Sequence, residues 1–127
     1  FMIDRILQEK RLTFGNAAYL AVLSASPEAP ELDREAAISH VAELLPSVSD
    51  RDAQDTATFG DFIFLLMQAH DVPGGVMYSL IPSPRYAARE AVYREWTSRS
   101  RAPGSSISGQ EALQILNRFL IWKEENL

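Results

Sequence analysis

Two stretches of this chain share an opening and align without a gap, TFGNAAYLAVLSA from Thr13 and TFGDFIFLLMQA from Thr58, 45 residues apart. The second of them constrains the fold most. Phe62 to Met67 is six apolar residues in succession, whereas a surface helix is interrupted by polar residues every third or fourth position. Such a helix needs protein on most of its sides. Thr58 is placed to accept from the backbone N–H three residues on while Asp61 reaches back, the reciprocal pattern that starts a helix. With 127 residues the chain is the size of one domain, large enough to bury that helix without disulfide or metal staples. We therefore expect a single domain over residues 1–127.

The remaining segments arrange themselves around this helix. Ile3 to Leu7 suits a short first helix or arm. Thr13 caps a helix to about Ser24, thin because of Ala17, Ala18 and Ala21, so that a neighbour can approach closely. Asp33 is the next cap, and Ala37, Ile38, Val41, Leu44 and Leu45 form an amphipathic stripe ending at Pro46. The acidic stretch Ser47 to Ala57 predicts an exposed loop. Val76 to Pro84 suits a short strand or an irregular plug, since Pro82 and Pro84 exclude a long helix. From Pro84 the spacing predicts a helix to about Thr97, then a loop to Ser106. Ser108 and Glu111 repeat the cap, and Ala112, Ile115, Leu116, Phe119 and Leu120 are the expected buried face of the last helix, with Trp122 closing its end. The fold class expected is all-α, a compact bundle of about five helices.

Four of these helices open alike: Leu12-Thr13-x-x-Asn16, Leu32-Asp33-x-Glu35, Thr58-x-x-Asp61 and Ile107-Ser108-x-x-Glu111. The second and last also match at an offset of 75 through Leu32/Ile107, Ala37/Ala112, Ile38/Leu113, Val41/Leu116 and Leu45/Leu120. Together with the 45-residue echo, they describe a degenerate helical repeat.

Composition removes several function classes. There is no cysteine, which excludes thiolate catalysis, cysteine-ligated zinc and disulfides within the chain. Hydrophobic content of 46% with 23% charge argues for a packed domain over a disordered one. The longest apolar run is far short of the roughly 20 residues that span a bilayer, and Phe1-Met2-Ile3-Asp4 shows no signal peptide. Phe1 ahead of Met2 is odd for a natural start; if the chain is a piece of a longer protein, a removed export signal would leave no trace in it. Residues 1–84 carry 12 acids and 5 bases, while residues 85–107 carry 5 arginines and 2 glutamates. The overall charge of −5 argues against nucleic acid as a partner. The arginine-rich segment keeps a local anion site.

From Tyr86 the pattern becomes more specific. YAAREAVYREW, a glycine-containing loop and ISGQEALQILNRFL resemble one S-layer homology repeat, in which an aromatic-started helix, a loop and a second helix opening I-T-R-A-E-F follow one another. TFGNAAYL and TFGDFIFLL look like the second helices of two eroded copies. The resemblance implies a helical domain outside the cytoplasm, in the periplasm or cell envelope, that contacts cell-wall polymer or a protein partner and needs no cofactor. In such repeats the arginine after the threonine contacts acidic polysaccharide. Here the matching positions are Phe14, Phe59 and Gly109, and only Arg34 follows a cap. Those departures favour a divergent envelope lipoprotein or periplasmic scaffold, for example a spirochaetal one, over a standard S-layer anchor.

Arg85, Arg89, Arg94, Arg99 and Arg101 are the leading binding candidates, because a guanidinium presents a planar donor fork to carboxylate or phosphate. Arg85 and Arg89 share a face with Tyr86 beside it, and a groove there, with Arg34, is the expected ligand site. The plainer alternative pairs these arginines with Glu90, Glu95 or the acidic first half. His70 beside Asp71 would serve as an oriented base only with a nucleophile or bound water nearby; as the end of a buried helix it is better explained as a C-terminal cation or a satisfied polar residue. Asp50, Asp52 and Asp55 lack the glycine and the long last ligand of an EF-hand, so no metal site is expected. Gly74-Gly75 lacks the lysine and spacing of a phosphate loop. Tyr78, Tyr86, Tyr93 and Trp96 fit interior packing better than a sugar or peptide groove. The expected function is a non-catalytic interaction or scaffold domain. Two alternatives stand beside it: a small hydrolase using His70 with Asp71 or Glu90, and a cytosolic helical adaptor that dimerises through Val76 to Ile81.

Overall fold

The computed structural model describes residues 2–25, 54–72, 83–97 and 102–126. Five helices are found among them: α1, Met2–Gln8; α2, Phe14–Ala25; α3, Phe59–Ala69; α4, Pro84–Tyr93; and α5, Gly109–Asn126. The bundle is all-α. Pairing outside the helices is limited, among the described residues, to two isolated antiparallel bridges, Thr13 with Thr56 and Thr58 with Ser106. The helix expected from Asp33 and the segment Val76 to Ile81 lie outside the described residues.

The centre of the bundle is α3, packed on α2 along one side and α4 along another, while α1 lies on α5. Every residue from Phe62 to Met67 is buried, as the uninterrupted apolar run requires. On α2 the small residues Ala17, Ala18 and Ala21 are fully covered, and on α4 Ala87, Ala88 and Ala91 are covered in the same way. Small side chains on both of its neighbours leave room for the phenylalanines of α3.

Helices α2, α3 and α5 begin at one place, where their openings are tied by main-chain hydrogen bonds. The N–H of the first residue after each cap donates to a carbonyl of the segment leading to another helix: Phe14 to Asp55 (2.6 Å), Phe59 to Ser105 (2.7 Å) and Gly109 to Glu9 (2.9 Å). The first links α2 to the approach to α3, the second α3 to the approach to α5, and the third α5 to the approach to α2, so the order closes on itself. Inside this ring sit the three residues that precede the caps, Leu12, Ala57 and Ile107, all buried. Leu12 donates to the Ile107 carbonyl (2.7 Å) and Ala57 to the Leu12 carbonyl (2.8 Å). Each opening needs a backbone partner for an N–H that its own helix cannot satisfy, and the ring supplies it.

The caps have the expected form at two of the three openings. Thr58 Oγ1 accepts from the Asp61 N–H (3.0 Å) and the Thr58 N–H donates to Asp61 Oδ2 (3.0 Å). Ser108 and Glu111 do the same, at 3.1 and 3.2 Å. At the first opening Thr13 Oγ1 accepts from the Asn16 N–H (3.3 Å), but the Asn16 side chain turns to donate to Glu9 Oε1 (2.8 Å), and its buried Oδ1 has no partner among the described residues. An aspartate in this place would face the Glu9 carboxylate.

Helices α3 and α4 end alike. After the C-caps His70 and Arg94, Asp71 (φ 54°) and Glu95 (φ 61°) enter the left-handed region. Asp71 then donates to Gln68 and Val72 to Met67, just as Glu95 donates to Val92 and Trp96 to Ala91, the paired closing bonds of a Schellman turn. Val72 and Trp96 are carried into the core by these turns. For that reason α4 stops at Tyr93, short of the expected Thr97. The face of α5 also differs: Ala112, Ile115 and Phe119 are buried, Leu116 is half-buried against the core, and Leu120 is 36% exposed. A stripe wide enough to include both Ile115 and Leu120 exceeds what α5 turns inward.

Candidate functional site

The expected anion-binding residues are carried by α4. Ser83 caps it by accepting from the Tyr86 N–H, and Pro84 occupies the first turn, where its missing N–H costs nothing. The side facing α3 holds Ala87, Ala88, Glu90 and Ala91, all buried, so Arg85 and Arg89 fall on the opposite side and are exposed. Tyr86 is half-buried against the core, and the Arg89 guanidinium lies 6.0 Å from its ring centroid, at the outer range of a cation–π contact. Arg85, Tyr86 and Arg89 thus share a surface; Arg34, Arg99 and Arg101 lie outside the described residues. Arg94 follows the plainer alternative. It pairs with Glu90 at 3.7 Å one turn back and covers the indoles of Trp122 (4.8 Å) and Trp96 (5.7 Å).

The aromatic residues divide. Trp96 is fully buried and meets Phe119 edge-on at 4.8 Å and Trp122 at 5.2 Å, which is packing and not a groove. Tyr93 is 83% exposed. Tyr78 and the Gly74-Gly75 pair lie outside the described residues, as do Asp50 and Asp52; Asp55 is exposed, and its carbonyl is the ring acceptor for Phe14.

His70 is placed in company that the sequence did not announce. Its Nε2 is 2.9 Å from Ser24 Oγ at the end of α2, and its Nδ1 is 2.8 Å from Lys123 Nζ in the last turn of α5. The ring meets Phe119 edge-on at 4.9 Å and is 8% exposed. Burial, reinforced by the Lys123 charge, lowers its pKa from 6.5 to about 4, so the imidazole is neutral near pH 7. An ammonium only donates. Nδ1 is therefore the acceptor from Lys123, Nε2–H donates to Ser24 Oγ, and the Ser24 hydroxyl donates to the Ala21 carbonyl (3.1 Å). Of the two readings of His70, the satisfied polar residue holds and the C-terminal cation does not: the ring is neutral and hydrogen-bonded, and its partners are a serine and a lysine where the hydrolase alternative needs a carboxylate. The polarity is also opposite to that of a hydrolytic triad, where Nε2 must be free to take the serine proton. Spacing along the chain gave little warning of this cluster, apart from Ser24 breaking the apolar run of its helix.

No family model, curated protein or solved structure matches this chain. Among the described residues no group of acidic and histidine side chains is arranged to hold a metal ion, and no helix is long and apolar enough to cross a membrane.

Proposed function

We propose that this chain is a non-catalytic helical module of the bacterial cell envelope, used as a scaffold that contacts cell-wall polymer or a protein partner through the Arg85–Tyr86–Arg89 face of α4. One observation carries the reading. The three helices that look like second helices of S-layer homology repeats, α2, α3 and α5, take equivalent places in a closed ring of main-chain hydrogen bonds. Degenerate copies of one repeat would assemble in that way. The packing of α4 on α3 and of α1 on α5 adds to it, because each pairs an outer helix with an opening from another copy. On such a rigid frame two exposed guanidiniums one turn apart present donors to an anionic partner. Periplasmic residence follows from the resemblance.

The test is binding of the purified chain to peptidoglycan and to an anionic wall glycan, with Arg85→Ala and Arg89→Ala alongside. Each substitution is expected to weaken binding about fivefold, the order of 1 kcal/mol for an exposed charged contact, with unchanged thermal stability. Binding equal to that of the parent chain in both variants removes the arginines from the site.

A further inference from the structure

The three ring helices meet again at their far ends, where one imidazole touches both of the other helices. Ser24 closes α2, His70 is the C-cap of α3, and Lys123 lies in the last turn of α5. The contacts join residues 46 and 53 positions apart in the chain. We propose that Ser24, His70 and Lys123 form an acid-released pin, which holds the last turn of α5 against α2 and α3 while the ring is neutral and frees it when the ring takes a proton.

The geometry dictates the sign. In the neutral ring Nδ1 has a lone pair, and the Lys123 ammonium donates to it. A proton taken from solvent at Nδ1 converts that acceptor into a donor. Two cations then face one another at 2.8 Å, with no shared acceptor among the described residues, while Nε2–H keeps its bond to Ser24. The side of the pin that fails is the one to α5. Among the described residues the groups around the ring offer no relief: α2 brings the uncharged Ser24, α5 brings Lys123 and the edge of Phe119, and on α3 the neighbouring Asp71 is exposed after its left-handed turn. From α4, Arg94 is held by Glu90 and the two indoles. The consequence reaches the aromatic cluster, since Phe119 touches both His70 and Trp96, and Trp122 adjoins Lys123. The ring's resistance to protonation places the release well below neutrality, toward pH 4.

The experiment is a ring-nitrogen NMR titration of the chain carrying His40→Gln, which leaves His70 as the sole histidine, combined with amide exchange at residues 120–125. At pH 7 the Nε2–H tautomer is expected, with a titration midpoint below 5. Exchange protection at 120–125, corrected for intrinsic rates, should fall at least tenfold through the same pH range. Lys123→Met should raise the midpoint by half a unit or more, and His70→Gln should abolish the pH-dependent part of the exchange. A midpoint near 6.5, the Nδ1–H tautomer, or a loss of protection identical in His70→Gln would each overturn the pin. If His70→Gln does not fold, the Lys123→Met midpoint decides alone: a rise sustains the proposal and an unmoved midpoint ends it.

Discussion

The two ends of the helical trio α2, α3 and α5 are held by different chemistry. At the openings the links are main-chain hydrogen bonds, from Phe14, Phe59 and Gly109 to carbonyls of the neighbouring approaches, around the buried Leu12, Ala57 and Ile107. At the far end the links are side-chain contacts through His70. Main-chain groups do not titrate and are present at every position, so the ring tolerates erosion of the sequence as long as caps and close approaches survive. A side-chain pin depends on three residue types and on the protonation of one of them. The lesson is that a bundle can be permanent at one end and conditional at the other while the same helices run through both.

That contrast is most severely tested at Gly109. A Cβ there would overlap the Ile6 carbonyl, and the backbone of α1 cannot move without breaking the bond from Gly109 to Glu9. Gly109→Ala is expected to destabilise the domain by about 3 kcal/mol, measured by urea unfolding with an unchanged slope. Gly60 is crowded similarly, its added Cβ lying 2.7 Å from the Pro84 carbonyl oxygen, but the first effect is the larger.

The pin end should respond to pH and the ring end should not. The folded-state pKa of His70 lies at about 4, below the ordinary 6.5. Between those values the unfolded chain binds the proton and the folded chain does not. The His70 contribution is therefore complete above about pH 6.5, declines as the pH falls, and levels off below about 4. Over that window we expect a loss of about 2 kcal/mol relative to His70→Gln, read as the difference between the two unfolding curves at pH 7 and pH 4.5. Equal pH slopes for the two proteins would show that the ring does not carry the effect.

Within the ring, Asn16→Asp sharpens the comparison between unequal caps. It would make the first opening resemble Thr58-x-x-Asp61, yet place a carboxylate where Glu9 Oε1 now accepts at 2.8 Å. A loss of about 1–2 kcal/mol is expected at neutral pH, recovered in the double variant with Glu9→Gln. The smallest effect is expected at the Schellman turns. Glu95 holds φ 61° without being glycine, so Glu95→Gly should stabilise the domain by about 0.5 kcal/mol or be neutral. A clear loss would mean that the Glu95 side chain matters to the turn.

The separate openings that make up the ring were legible in the sequence, though not their closure. The echo of Thr13 and Thr58, the reciprocal caps at Thr58 and Ser108, and the envelopment of Phe62 to Met67 all follow from short-range chemistry, in which side chain and backbone partner lie three residues apart. The face of α4 was legible in part for the same reason: Arg85 and Arg89 are one turn apart, opposite the alanines, but Glu90, expected beside them on the polar face, is buried. What escaped was set at longer range. Nothing in YREWTS says that the helix ends at Tyr93, because the left-handed turn at Glu95 is stabilised by burying Trp96 against Phe119 and Trp122. Leu120 looks as buried as Leu116 by periodicity alone.

The chain by itself determined that α3 would be surrounded and where three helices would begin, since hydrophobic runs and caps act within a turn or two of the residues that carry them. Only the tertiary structure decided that those beginnings close into a ring, and that His70 is a neutral ring between Ser24 and Lys123 and not a cation beside Asp71. The physical reason is that a protonation state depends on the charges and the solvent around a group, and these are brought to His70 from two other helices.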